Sequence, residues 1–247
     1  MNLHATSRTL LTLALGLLQP VLALSLETAA MKLPPDLEEA AVRLPVSGYG
    51  GANRGTYSVD EYRGEFERVE TRLAIFDPLF ASHRGGAQFT MNGPGIDGTI
   101  SADCSFKQNV ATAGIVTFDL KKFAFVCDIS GAGADLSGRL VLGEPRPKGF
   151  KERLLARATR RGVAEVGGRT IEIESVHDYA GSKFQSQAPV GYVLKADSQV
   201  LGALELTDVN PTVFVTGSSS AKDRLATLVA AIAVSLLRDP ADSTLAD

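Results

Sequence analysis

Beyond the first 25 residues only two histidines remain, and they limit the acid–base chemistry open to this chain. His83 stands in Ser82-His83-Arg84-Gly85-Gly86, a turn sequence. His177 closes a strand-like run, with Asp178 beside it and Ser182 and Ser186 following. Histidine, carboxylate and serine hydroxyl are the ingredients of acyl transfer: the imidazole takes the hydroxyl proton while the carboxylate orients the ring. Two features weigh against that use. No G-x-S-x-G elbow presents a nucleophile, and neighbouring residues on a strand point to opposite faces, so Asp178 is badly placed to orient His177. A small secreted hydrolase using His177 is the second reading, and no catalytic residue is assigned under the first.

The carboxylates and thiols carry less. Glu172 and Glu174 share one face of a strand, and Asp60-Glu61 lies near Glu65 and Glu67. Such pairs act as acid and base only where one of them is desolvated; on strands with a wet face they read as solvated charge. Cys104 and Cys127 are the only cysteines. Neither belongs to a C-x-x-C pair or neighbours a histidine, so a metal site is disfavoured and no metal or other cofactor is expected.

Charge offers a binding chemistry instead. Lys148 to Arg161 (KGFKERLLARATRR) sets six basic residues against one acidic. Leu154, Leu155 and Ala158 mark a helical packing face, with Lys148, Lys151, Arg153, Arg157, Arg160 and Arg161 around it. That pattern suits anionic lipid head groups or lipopolysaccharide phosphates; a solvated connecting helix is the plainer reading of the same residues. Arg63, Arg68 and Arg72 add local positive charge. The whole chain has a net charge of −3 and no tryptophan, so no global basic field recruits nucleic acid.

The elements that must position these residues follow in order. Residues 1–25 read as a signal peptide: Arg8, the apolar run Leu10 to Leu18, Pro20, and small residues at 21–25 for cleavage. A retained membrane anchor is the alternative, disfavoured because the run is short for a bilayer. Export to the periplasm or medium would oxidise Cys104 and Cys127 to a disulfide. Residues 26–55, with Pro34-Pro35, Pro45 and Ser47-Gly48-Tyr49-Gly50-Gly51, read as a flexible tether. Residues 56–240 then form one domain and 241–247 a disordered tail.

Within the domain, Ile100, Ala102, Cys104 and Phe106 alternate with polar residues, as do Phe123, Phe125, Cys127 and Ile129. Period-two alternation marks strands with one face in a core, and both cysteines fall in the inward rows. Further strands are predicted at 137–143, 170–176, 191–195, 199–206 and 212–215. The chain then changes character. Ala221 to Leu237 (AKDRLATLVAAIAVSLL) reads as a helix started by Ser220 and Asp223 and stopped by Pro240. From Leu225 to Leu237 only Thr227 and Ser235 are polar. This apolar part is about 20 Å long, short of the roughly 30 Å of a bilayer core, so the helix is expected to be wrapped by its own protein. A sandwich is too thin for it, whereas a closed antiparallel β-barrel of roughly 10–12 strands is wide enough.

The succession Gly162–Val176, Gly191-Tyr192-Val193-Leu194, Val200-Leu201-Gly202-Ala203-Leu204-Glu205, Val213-Phe214-Val215 and terminal helix resembles the tubby-like superfamily, which includes the tubby C-terminal domain, the phospholipid scramblases and the LURP-one-related proteins. The resemblance covers Tyr57 to Pro240 in layout and Gly162 to Pro240 in sequence texture. It implies a β-barrel enclosing a hydrophobic C-terminal helix. Tubby domains bind phosphoinositide head groups through exterior basic residues, but no position here matches those residue by residue, and no acidic cluster corresponds to the scramblase calcium segment. The resemblance therefore implies fold more than function. The expectation is an exported, monomeric, non-catalytic binding module of the bacterial envelope, its candidate partner an anionic lipid or another envelope component.

Overall fold

The computed structural model describes residues 29–71, 84–108, 112–113, 116–117, 120–131, 136–145 and 158–237. In chain order the elements are α1 (Pro35–Glu38), β1 (Ala41–Ser47), β2 (Arg54–Val59), β3 (Tyr62–Thr71), β4 (Arg84–Met91), β5 (Ile100–Gln108), β6 (Thr112–Ala113), β7 (Val116–Thr117), β8 (Leu120–Ser130), β9 (Gly138–Pro145), β10 (Arg161–Val166), β11 (Arg169–Val176), β12 (Gly191–Ala196), β13 (Gln199–Glu205), β14 (Thr212–Thr216) and α2 (Ala221–Ser235). Twelve strands form a closed barrel in which each is antiparallel to its sequence neighbour; β6 and β7 pair apart, β5 passes to β8, and β14 closes on β1. The barrel expected from the alternating rows is present.

Alternation explains which side each residue takes. Phe89 and Met91 on β4, Ile100, Ala102 and Cys104 on β5, and Leu140 and Leu142 on β9 share one buried cluster with the inward residues of the other strands. Cys104 and Cys127 stand directly opposite on β5 and β8 and are joined, with Sγ–Sγ 2.05 Å and Cα–Cα 3.9 Å. Both are buried in the core.

α2 begins as the sequence indicates. The Ser220 hydroxyl accepts from the Asp223 amide at 3.1 Å and donates to its carboxylate at 2.7 Å. Its eleven residues from Leu225 to Ser235 are all buried, and the nine apolar ones belong to the same cluster as the inward rows. Two ion pairs fix the start of the helix against tight turns: Arg169–Asp223 and Arg224–Asp60, each at 2.6 Å. No helix among the described residues is long and apolar enough to cross a membrane.

The tether expectation is corrected. Residues 41–47 are β1, which joins β14 to β2 and completes the barrel. Pro45 is tolerated because the Val46 amide faces the β14 side, donating to the Pro211 carbonyl at 2.9 Å, so the Pro45 nitrogen faces the β2 side, where pairing begins only at Val46. Ahead of β1, Met31, Leu33 and Leu37 pack on the outer face of β12–β14 against Val190, Ala203 and Phe214. The Met31 amide donates to the buried Glu205 carboxylate at 2.6 Å. Four strands further round the barrel, Ala124, Val126, Val141 and Val163 form a second outward-facing buried patch on β8–β10, and β6 packs against β9 and β10. Prolines and glycines signalled a loop in 26–55, but the apolar Leu44, Val46 and Tyr49 are core residues and carry more weight.

Because the barrel is a meander, its connections alternate between two ends. One end has short turns: Asp60-Glu61, Gly167-Gly168 and Asp197-Ser198, with Asp60, both glycines, Asp197 and Ser198 at positive φ. That end also carries the connections at 92–99 and, in sequence, 131–137; the other, the long-connection end, carries those at 48–53, 177–190 and 206–211, and in sequence 72–83, 109–119 and 146–160.

Candidate functional site

The long-connection end gathers most residues with chemical potential. His177, at the end of β11, is buried. Its Nδ1 lies 3.1 Å from the Ser186 carbonyl and its Nε2 lies 3.1 Å from Ser175 Oγ. A carbonyl only accepts, so the proton sits on Nδ1, and in the neutral ring Nε2 accepts the Ser175 hydroxyl. Ser175 Oγ in turn accepts the Arg160 amide at 2.9 Å. Ser175 is the next-to-last residue of β11 and His177 follows the strand directly, so the two side chains meet across one intervening residue.

The predicted hydrolase partners are placed differently. Asp178 accepts from Gln185 Nε2 at 2.5 Å. The Ser182 hydroxyl accepts the Phe184 amide at 3.0 Å, and Ser186 meets the imidazole through its backbone carbonyl rather than its hydroxyl. The serine that reaches His177 is Ser175. Sequence reasoning looked after the histidine, whereas the i−2 position was the readable signal. His83 lies outside the described residues.

The basic residues divide in the same way. Lys148, Lys151, Arg153, Arg157 and Arg72 lie outside the described residues. Arg160 does not face solvent as its helical placement implied: it is only 8% exposed, and its Nη1 donates to the Thr159 carbonyl at 3.1 Å. The predicted helix does not extend to Arg161, which opens β10 and pairs with Glu174 at 3.7 Å. Arg68 is no exterior cation either. It falls in the inward row of Tyr62, Gly64 and Phe66, its guanidinium 4.8 Å from the Tyr49 ring centre and 5.3 Å from that of Phe66.

The carboxylate pair is separated by its surroundings. Glu172 is exposed, while Glu174 accepts from Lys195 Nζ at 2.8 Å. That hydrogen bond, then the charges of Lys195 and Arg161, hold the Glu174 carboxyl below the usual carboxylate range despite partial burial. This is opposite to what a general acid needs. Glu65, Glu67, Asp103 and Asp128 line an open groove of about 990 Å³ over β2–β5 and β8, with Phe66, Phe89 and Ile129 also in its lining. Gln88 already donates to Asp103 at 3.1 Å, and Arg139 lies 3.5 Å from Asp128. No group of three or more metal-ligating side chains occurs among the described residues.

A smaller cleft of about 330 Å³ opens at the long-connection end, between the 177–190 and 206–211 connections. Ala29, Tyr179, Pro189, Val190 and Leu206 give it apolar walls. No family model matches the chain, and neither a curated protein nor a solved structure matches it.

Proposed function

We propose that the protein is an exported envelope module, monomeric and non-catalytic, that binds through its exterior and takes anionic lipid as its ligand. The observation that carries this reading is the unbroken burial of Leu225 to Ser235, the apolar residues among them in one cluster with the inward rows of the barrel. We read α2 as an apolar helix enclosed by the barrel, the arrangement implied by the resemblance to the tubby-like superfamily. A lumen occupied by its own helix has no room for an interior ligand, which leaves recognition to the outer surface and the ends. Lys148, Lys151, Arg153 and Arg157 supply the charge, in the sequence between β9 and β10.

The test is sedimentation of the purified protein with phosphatidylglycerol-containing vesicles, against pure phosphatidylcholine. Binding is expected only to the anionic vesicles, and joint replacement of Lys148, Lys151, Arg153 and Arg157 by glutamate should abolish it. Equal partitioning to both vesicle types, or none to either, would overturn the lipid reading.

A second reading rests on the Ser175–His177 contact. A hydroxyl bonded to Nε2, with Nδ1–H held by a carbonyl, is the start of a serine nucleophile and its base. A fluorophosphonate probe distinguishes the two: stoichiometric labelling lost in Ser175→Ala would establish a hydrolase, and absence of label favours the binding module.

A further inference from the structure

We infer that the 177–190 and 206–211 connections form a face that meets the bilayer, with Phe184 of the first inserted as an apolar anchor and Val209 contributing from the second; this rests on the lipid reading above. Phe184 is 85% exposed and Val209 66%. A lone exposed apolar side chain is ordinary on any protein surface. Here two of the three large exposed hydrophobics among the described residues lie on the 177–190 and 206–211 connections, which share the apolar cleft and the same barrel end.

Phe184 is exposed on an ordered loop. Its amide is bonded to Ser182 Oγ, Gln185 reaches back to Asp178, and the Ser186 amide donates to the His177 carbonyl at 2.8 Å. Gly181, at φ +68°, makes the bend. A ring held out in this way has already lost much of the loop entropy that insertion would otherwise cost.

The surrounding charge and connectivity fit a membrane interface. Lys183 precedes Phe184, and the exposed Lys32 is joined to the loop base, its amide donating to the Asp178 carbonyl at 2.9 Å. The two acids nearby are internally engaged: Asp178 accepts from Gln185, and Asp208 accepts the Val209 amide at 2.6 Å. The Ala158 amide donates to the Gln187 carbonyl at 3.1 Å, which ties the end of the basic stretch to the Phe184 loop. The Ala180 amide donates to the Ala30 carbonyl at 2.8 Å, so the chain that follows the apolar run at 10–18 also joins the fold here. An apolar ring with an exposed lysine next to it is an arrangement for interfacial binding, in which apolar burial and attraction to anionic lipid add.

The absence of tryptophan makes the test direct, because Phe184→Trp introduces a sole indole reporter. Phosphatidylglycerol-containing vesicles with brominated acyl chains should blue-shift and quench this indole. An indole at Asp97→Trp, in the turn between β4 and β5 at the opposite end, should not respond. Phe184→Ser should weaken vesicle binding roughly tenfold or more, the fold-change of withdrawing one phenyl ring from an apolar phase. Vesicle binding that persists with an unresponsive indole at position 184 and an unaffected serine variant would overturn this docking face and leave the lipid reading standing. No vesicle binding by the unaltered protein would overturn both.

Discussion

Arg68 donates from Nη2 to the carbonyl of Ser235 at 3.3 Å, so a strand residue caps the last turn of the C-terminal helix. A helix ends with carbonyls that have no intrahelical partner and with the negative end of its dipole. A guanidinium placed there answers both. Ser235 also lies 3.1 Å, Oγ to hydroxyl, from Tyr49, and its own hydroxyl donates to the Ile232 carbonyl at 2.8 Å. With Arg169–Asp223 and Arg224–Asp60 at the other terminus, α2 is tied to the barrel at both ends.

Arg68→Ala is therefore expected to destabilise the protein by about 2–3 kcal/mol, the scale of a partly buried charged hydrogen bond. Arg68→Lys should recover only part of this, because an ammonium cannot stack on Tyr49 and Phe66 as a planar guanidinium does. Urea unfolding of the three proteins measures both. A loss within experimental error for the alanine variant would mean that the helix end is held without the arginine.

Gly202 on β13 lies where sheet and helix come close together. A Cβ built there would fall 2.4 Å from the Phe214 carbonyl oxygen and 2.9 Å from Thr227 Cγ2. The first neighbour is backbone and cannot swing aside. Gly202→Ala is expected to cost about 1–3 kcal/mol from overpacking, seen as a lower thermal midpoint. A midpoint unchanged from that of the parent protein would show that α2 can shift away from β13.

Much of the barrel could be read from alternation, and the reason is physical. Cys104 and Cys127 sit in rows whose every second residue is apolar, and that parity fixes both their burial and their facing positions. The start of helix α2 was legible from its capping residues, Ser220 and Asp223, which bond as their spacing indicates. The N-terminal strand was not, since Pro45 and the glycines at 48–51 signal a break while the pairing of β1 with β14 is non-local. Arg68 was misread by residue type when parity placed it in the inward row of Phe66. Ser175 was missed because motif searching favours residues spaced along a loop, whereas two residues either side of a strand's last position meet without any motif. Phe184 gave no sequence signal: a phenylalanine in a polar loop reads the same whether it is tucked in or held out.

The Cys104–Cys127 bond encloses a separation of 23 residues. Closing a loop of that size in the unfolded chain contributes about 3 kcal/mol in the entropy model. The double serine variant is expected to lose approximately that amount against urea while keeping the far-ultraviolet spectrum of the barrel, since the two sites pair by strand register independently of the bond. Loss of the folded spectrum in the absence of denaturant would show that the bond is required for closure and does more than stabilise it.

Tyr49 supplies a pH dependence whose sign can be worked out. Burial is the chief cause that pushes its phenol up, from 10.0 to about 12, against the opposing influence of the Ser235 hydrogen bond and the Arg68 charge. Tyr57 and Tyr62 move in the same direction, again chiefly through burial. The folded state thus favours the neutral phenol, whereas the unfolded chain ionises near the ordinary value. The stabilisation is complete below about pH 10 and is lost progressively as the pH rises toward about 12. Tyr49→Phe should lower stability at neutral pH by about 1 kcal/mol through the lost hydrogen bond, yet make the alkaline decline shallower. Urea midpoints from pH 7 to pH 11 would show it as two curves that converge with rising pH; parallel curves would mean that the Tyr49 phenol ionises as readily in the folded protein as in the unfolded chain.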